Sequence, residues 1–154
     1  MLERRFWLPR ERPEVFQFFA APENLALVQP PGTRLEWLAV PPARLEAGAL
    51  LDFRVRVLGW PVRWRVMVRE FDPPYRFVDV QLWGPFDRWE HRHRFEAGPS
   101  GDGATGLIGT WVVDRVTYRL PLGPVGALAH GIAAGRRITG LFEHRERRLR
   151  ELLG

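Results

Sequence analysis

The fold of this chain is decided by the stretch Trp89-Glu90-His91-Arg92-His93-Arg94-Phe95, in which aromatic or imidazole side chains alternate with charged ones. Successive side chains of a β-strand point to opposite faces of the sheet. The stretch therefore predicts a strand with Trp89, His91, His93 and Phe95 on one face and only charged side chains on the other. A strand with one such apolar face needs a second layer to cover it.

A second strand is predicted over Ile108 to Arg119, and a glycine-rich loop from Ala97 to Gly106 separates it from the first. The inward residues of this second strand are expected to be Ile108, Thr110, Val112, Asp114, Val116 and Tyr118. The two strands should pair as an antiparallel hairpin. A tight turn would place His91 opposite Val112 and Trp89 opposite Asp114, about 5 Å apart at Cβ. The shared face is either a core that contains a few polar groups or the lining of a ligand pocket.

The composition predicts one soluble domain over residues 1–154. A chain of 154 residues is long enough to bury a sizeable core. Hydrophobic residues make up 45% of it, and no apolar run approaches the roughly 18 residues of a spanning helix. Because Met1 to Pro9 lacks an apolar leader, we expect a cytoplasmic protein. The absence of cysteine excludes disulfides, thiolate nucleophiles and cysteine-ligated metals.

Arginine supplies all 23 basic residues, and the net charge is +5. Coding bias or surface ion-pair networks produce this composition without any anionic partner. The alternative is a basic sheet face that docks transiently on an anionic membrane surface. No nucleic-acid partner is expected, because acidic residues interrupt the arginines and no aromatic-basic RNA motif is present. We also expect Trp111 to stack on Arg92 or Arg94 on the convex face.

Hydrophobic periodicity gives the order of the elements. After the glycine and proline residues at 121–124, the apolar period changes from two to about 3.6, which indicates one long C-terminal helix with Phe142 on its apolar stripe. The preceding elements are expected to be a strand over Leu2–Leu8, short helices over Pro13–Phe19 and Pro22–Val28, and strands over Arg34–Val40, Leu51–Leu58, Val62–Phe71 and Phe77–Trp83. The predicted class is α+β, a curved antiparallel sheet of six to seven strands wrapped around that helix.

This arrangement resembles the helix-grip fold of the START/Bet v 1-like (SRPBCC) superfamily, and in particular a bacterial cyclase/dehydrase-like branch. The segments that carry the resemblance span nearly the whole chain: Val15–Phe19, Pro22–Leu25, Asp52–Arg54, Trp60–Trp64, Asp72–Asp79, Gly84–Phe86, Trp89–Phe95 and Asp114–Pro124. The resemblance implies a hydrophobic cavity and binding of a lipid, an isoprenoid or quinone, or a polyketide-like molecule. It implies no particular reaction, because this scaffold carries very different chemistries.

The candidate ligand-binding residues lie on the presumed concave face and on the helix. They are Phe53, Val55, Trp64, Val66, Trp89, His91, His93, Asp114, Val116, Tyr118, Ile132 and Phe142. The leading hypothesis is a carrier or sensor of a hydrophobic small molecule. No cofactor is expected, and both a monomer and a homodimer remain open.

His91, His93 and Asp114 allow three interpretations. A histidine oriented by a carboxylate can act as a general base, as a cyclase or dehydratase requires, and these three residues are the catalytic candidates if the protein is an enzyme. The same groups can instead satisfy one another as a structural cluster. A metal site is not expected, because the set lacks a fourth conspicuous ligand. A third class of function, an interaction protein acting through the arginine face, also remains open.

Overall fold

The structure, a computed structural model, describes residues 1–57, 60–100, 106–120 and 126–154. It describes the side chains of these residues except at position 57 and positions 126–134. It shows the α+β architecture that the sequence predicts. The elements are β1 (Leu2–Leu8), α1 (Arg12–Phe19), a 3-10 helix (Pro22–Val28), β2 (Glu36–Trp37), β3 (Leu50–Val57), β4 (Trp60–Asp72), β5 (Arg76–Trp83), β6 (Arg88–Pro99), β7 (Ile108–Arg119) and α2 (Gly126–Leu153).

The described strands form one antiparallel sheet in the order β1-β7-β6-β5-β4-β3-β2. Every pair except β1 with β7 joins strands that are consecutive in the chain, as expected for hairpins. The predicted strand over Arg34–Val40 is much shorter in the structure, because only Glu36 and Trp37 pair with β3. Within the part of the chain that the structure describes, neither helix is long and apolar enough to cross a membrane.

The predicted register of the central hairpin is wrong by four residues. His91 pairs with Val116, Trp89 with Tyr118, and His93 with Asp114. The reason is the position of the turn. Strand β6 continues through Ala97, Gly98 and Pro99, which pair with residues at the start of β7 although the sequence placed them in a loop. The pairing of β6 with β7 is therefore centred further along the chain than in the predicted hairpin.

The apolar core consists of two groups of side chains on the concave face. The first contains most of the predicted inward residues of β3 and β4, including Phe53, Val55 and Val66, packed against α1 and the end of α2. The second contains Trp89, Val116, Ile138 and Phe142, with Leu2, Trp64, Phe86 and Tyr118 packed against it. Helix α2 covers both groups, since Leu149 and Leu153 belong to the first.

Arginines and carboxylates on the convex face form ion pairs. Arg63 and Arg65 both hydrogen-bond to Asp52 and hold its pKa well below its usual range. Arg69 and Arg92 both bind Glu90. These contacts agree with the surface-network interpretation of the composition.

The predicted stacking partner of Trp111 is wrong. Arg5, rather than Arg92 or Arg94, lies over the Trp111 ring, with Cζ 4.0 Å from the ring centroid. Strand β7 has two neighbours, and Arg5 comes from β1, on the side that the hairpin pattern does not describe. Trp111 is half-buried beneath it.

Candidate functional site

Four ionisable side chains meet on the concave face of three adjacent strands. They are Asp79 on β5, His91 and His93 on β6, and Asp114 on β7. The strand register brings them together, because Asp79 pairs with His91 and His93 pairs with Asp114. We call these four residues the His–Asp cluster.

Each imidazole of the His–Asp cluster bridges the two carboxylates. On one side, Asp114 Oδ1 lies 3.2 Å from His91 Nε2 and 2.7 Å from His93 Nδ1. On the other side, Asp79 Oδ2 lies 3.4 Å from His93 Nε2 and 3.8 Å from His91 Nδ1. The contact at His93 Nδ1 is the shortest of the four, and it holds the imidazole against Asp114.

Aromatic rings shield the His–Asp cluster from solvent. His91 and His93 are only 4% and 8% exposed. Phe77 stacks on His93 at a centroid distance of 4.2 Å, and Phe142 of α2 meets His91 edge-on at 5.2 Å. The carboxylates and imidazoles therefore interact in a medium of low dielectric constant, where charge–charge interactions are strong.

The two histidines differ in protonation. Burial opposes the charge on His93, but Asp114 and Asp79 outweigh it and raise the pKa of His93 to about 9. Burial, together with the positive charge of His93, lowers the pKa of His91. Burial also acts to raise the pKa of Asp114, but His93 and His91 outweigh it and hold that pKa well below its usual range. These opposite pKa shifts favour an imidazolium at His93 and a neutral imidazole at His91 at neutral pH.

Arg145 of α2 lies above the His–Asp cluster. Its Nε atom is shielded from solvent, and no described residue accepts a hydrogen bond from it. Burial lowers the pKa of Arg145, while Asp114 and Asp79 partly oppose this effect. The guanidinium carbon is 5.4 Å from the centroid of the Phe142 ring. A cation without a direct partner among the described residues thus faces the two carboxylates from the helix side.

The structure places the predicted site residues in three groups. His91, His93 and Asp114 come together as the sequence predicts. Trp64, Trp89, Val116, Tyr118 and Phe142 belong to the second apolar group, and Phe53, Val55 and Val66 belong to the first. The side chain of Ile132 lies outside the described residues.

The sequence analysis missed Asp79 and Arg145. Both faces of β5 are partly apolar, so the pattern does not show which way Asp79 points. Arg145 stands in a run of charged residues at 143–148, yet it follows Phe142 by three positions and precedes Leu149 by four. That spacing on the buried face of a helix is the signal that could have identified it.

Asp79, His91 and His93 each offer a possible metal-ligating atom, and these atoms lie within 4.8 Å of one another. Two histidines and one carboxylate form a common ligand set for transition metals. Here the ring nitrogens of His91 and His93 already contact both Asp79 and Asp114, so these groups partner one another. We therefore interpret the cluster as a proton-sharing network.

Comparison with known proteins shows the class of protein that this fold and site define. The family model described as polyketide cyclase/dehydrase and lipid transport matches residues 8–143, and the chain belongs to this family. No curated protein sequence matches the chain significantly.

Solved structures from bacteria and plants share the fold. TTHA0849 from Thermus thermophilus is 24% identical, with 96% of this chain and 95% of that chain covered and a TM-score of 0.68. Ms6760 from Mycobacterium smegmatis is 15% identical, with coverage of 99% and 89% and a TM-score of 0.68. Major latex-like protein 151 from Panax ginseng is 9% identical, with coverage of 99% and 95% and a TM-score of 0.64.

The raised pKa of His93 predicts a loss of stability in alkaline solution. Its contribution to folding is fully present below pH 6.5, the ordinary histidine pKa, and disappears as the pH rises through about 9. Denaturant unfolding should show that the free energy of unfolding falls by about 3 kcal/mol between these pH values. His93→Gln should be less stable at pH 6.5 and should lack this decrease. An equal decrease in His93→Gln would show that other groups cause it.

Proposed function

We propose that the protein binds a hydrophobic small molecule between the concave face of the sheet and α2, with the His–Asp cluster at the polar end of the site. The main support is the position of this cluster, which is buried beneath Phe142 where the two apolar groups meet. A buried polar network beside apolar walls is the usual composition of a small-molecule site. The family description, which includes lipid transport, agrees with this function.

An unsatisfied polar atom beside the second apolar group supports the same proposal. The indole Nε1 of Trp64 is buried and has no described hydrogen-bond acceptor. Buried polar groups are normally paired, so this donor needs an acceptor beyond the described residues, and a bound ligand can supply it. The Trp64 ring lies 5.0 Å from Trp89 and 5.6 Å from Phe86, so this donor sits among aromatic rings that suit an apolar ligand.

Gly135 marks where α2 comes close to the sheet on this side. A Cβ atom built at Gly135 would lie 3.5 Å from the hydroxyl of Tyr118. A larger side chain would therefore enter the space between α2 and β7, where the proposed ligand lies. At Gly140, on the same helix, an added Cβ meets nothing within 4 Å. These two glycines provide a matched pair of positions for a test.

Gly135→Leu should weaken ligand binding at least tenfold, because the added side chain occupies the site. Gly140→Leu makes the same change in helix propensity at an open position and should bind like the natural protein. Native mass spectrometry of freshly purified protein, followed by organic extraction, should identify a bound lipid, quinone or polyketide-like mass. Titration of the delipidated proteins with that molecule then measures affinity.

Two results would contradict the proposed binding. One is equal affinity of Gly135→Leu and Gly140→Leu for the extracted molecule. The other is a protein that carries no ligand after purification and takes up none from lipid and isoprenoid extracts. Thermal unfolding of both variants confirms that each one is folded before binding is compared.

A second candidate function, acid–base catalysis of the cyclase or dehydratase type, is favoured by the opposite protonation of His91 and His93. When the surroundings shift the pKa values of two titratable groups in opposite directions, one group is a proton donor and the other a proton acceptor at the same pH. Neutral His91 is held by Asp114 through Nε2 at 3.2 Å, as expected for an oriented general base. His93, as an imidazolium, is the matching acid.

His91→Gln tests this second function, since glutamine keeps a polar side chain but cannot exchange a proton at neutral pH. If the protein is a catalyst, it should accelerate deuterium exchange at the activated methylene of a long-chain β-keto methyl ester. NMR in D₂O measures this rate. His91→Gln should lower the rate about 100-fold or more while the affinity for the ester changes little. Exchange no faster than the buffer rate in the natural protein would exclude this activity for the probe.

A further inference from the structure

We infer that Arg145 is the recognition residue for the head group of the ligand, and that this head group is the carboxylate of a hydrophobic acid. The inference rests on the proposed function and specifies the class of ligand. The structure supports it through the hydrogen-bonding state of Arg145, its position, and the charge balance of the site beneath it.

The hydrogen-bonding state of Arg145 differs from that of its neighbours on α2. Arg147 binds His144, Arg148 binds Glu151, and Arg150 binds Glu146 as well as the carbonyl oxygen of Trp7. Arg145 has no hydrogen bond or ion pair with any described residue. Its Nε is nevertheless fully shielded from solvent. The residue as a whole is half-buried, so the terminal nitrogens can reach solvent while Nε cannot. A shielded Nε without an acceptor is unfavourable, and the protein gains if a ligand supplies one.

The position of Arg145 directs it toward the proposed ligand. It follows Phe142 by one helical turn, and Phe142 packs directly on His91. Asp114 and Asp79 are close enough to attract the guanidinium electrostatically. Arg145 thus faces inward over the His–Asp cluster, whereas Arg136 and Arg137, two to three turns earlier on α2, are exposed.

The charge balance of the site does not oppose a negative charge on the ligand. The charged or titratable groups that face the site are Asp79, His91, His93 and Asp114 from the sheet and Arg145 from α2. With both carboxylates ionised, His93 protonated and His91 neutral, the positive and negative charges of these five groups cancel. An incoming carboxylate therefore does not enter a site of net negative charge, although two aspartates are close by.

A carboxylate fits this site better than a phosphate. The planar guanidinium offers parallel N–H groups that match the two oxygens of a carboxylate. A phosphate monoester brings close to two negative charges at neutral pH, and Arg145 is the only described cation of the site without a direct ion-pair partner. A phosphate would therefore give this neutral site about twice the net negative charge that a carboxylate gives it, at a greater cost of burial.

The experiment compares oleic acid with methyl oleate, which has the same chain but no charge. Affinities of delipidated protein are measured below the micelle concentration by displacement of a neutral fluorescent probe, 1-aminoanthracene. The natural protein should bind the acid at least tenfold more tightly than the ester. Arg145→Met, which keeps the length of the side chain without its charge, should lose this preference while its affinity for the ester stays within about threefold. Arg137→Met, an exposed substitution on the same helix, should behave like the natural protein.

Arg145→Lys keeps the charge but not the forked geometry of the guanidinium, so its preference for the acid over the ester should be intermediate. This variant also provides the test if Arg145→Met does not fold. Equal binding of acid and ester by the natural protein would overturn the role of Arg145 but leave the proposed function standing. A preference for the acid that persists in a folded Arg145→Met would also overturn it. If 1-aminoanthracene does not bind, and neither oleic acid nor methyl oleate is taken up by the delipidated protein, both the inference and the binding of hydrophobic molecules of this kind are contradicted.

Discussion

Two carboxylates that face the apolar core, Asp114 buried and Asp79 half-buried, impose the main physical constraint on this protein. Asp79 and Asp114 lie on the concave face of the sheet, where an unpaired negative charge is strongly unfavourable. Two histidines between them provide one positive charge and bridging contacts on both sides. The arrangement requires that β5, β6 and β7 keep their register, because a shift of one residue would turn these side chains to the other face.

The same constraint links the sheet to α2. Phe142 covers His91 and excludes water from the cluster, which strengthens every electrostatic interaction beneath it. One turn later, Arg145 adds a second positive charge that has no direct partner among the described residues. The helix therefore closes the core and also completes the polar end of the proposed binding site. Burial lowers the pKa of both histidines, but the two carboxylates outweigh it at His93, and the charge of His93 lowers the pKa of His91 further. Ligand recognition or proton transfer would use this difference in pKa.

Much of this arrangement could be predicted from the sequence, because strand periodicity is a strong signal. The bounds of β7, Ile108–Arg119, and the buried face of β6 were predicted correctly. The register of the hairpin was predicted wrongly, since the length of a glycine-rich loop does not determine where the pairing of its two strands begins. His91 and His93 were correctly placed together with Asp114, but the facing residues and distances required the three-dimensional structure.

Asp79 and Arg145 could not be assigned to the site from the sequence for different physical reasons. Strand β5 is apolar on both faces, so periodicity has no preferred direction there. Arg145 is surrounded in the sequence by charges that belong to the solvent-exposed side of α2, and only its spacing from Phe142 and Leu149 distinguishes it. Both residues depend on contacts between elements that are distant in the chain, which local patterns do not record.

The central claim is that the His–Asp cluster holds one charged and one neutral histidine at neutral pH. Nitrogen NMR of histidine-labelled protein at pH 7.5 tests it directly, because the shifts of the two ring nitrogens distinguish imidazolium from each neutral tautomer. We expect His93 to be protonated on both nitrogens and His91 to be neutral. Resonances that show both histidines neutral, or His91 as the charged one, would contradict the account.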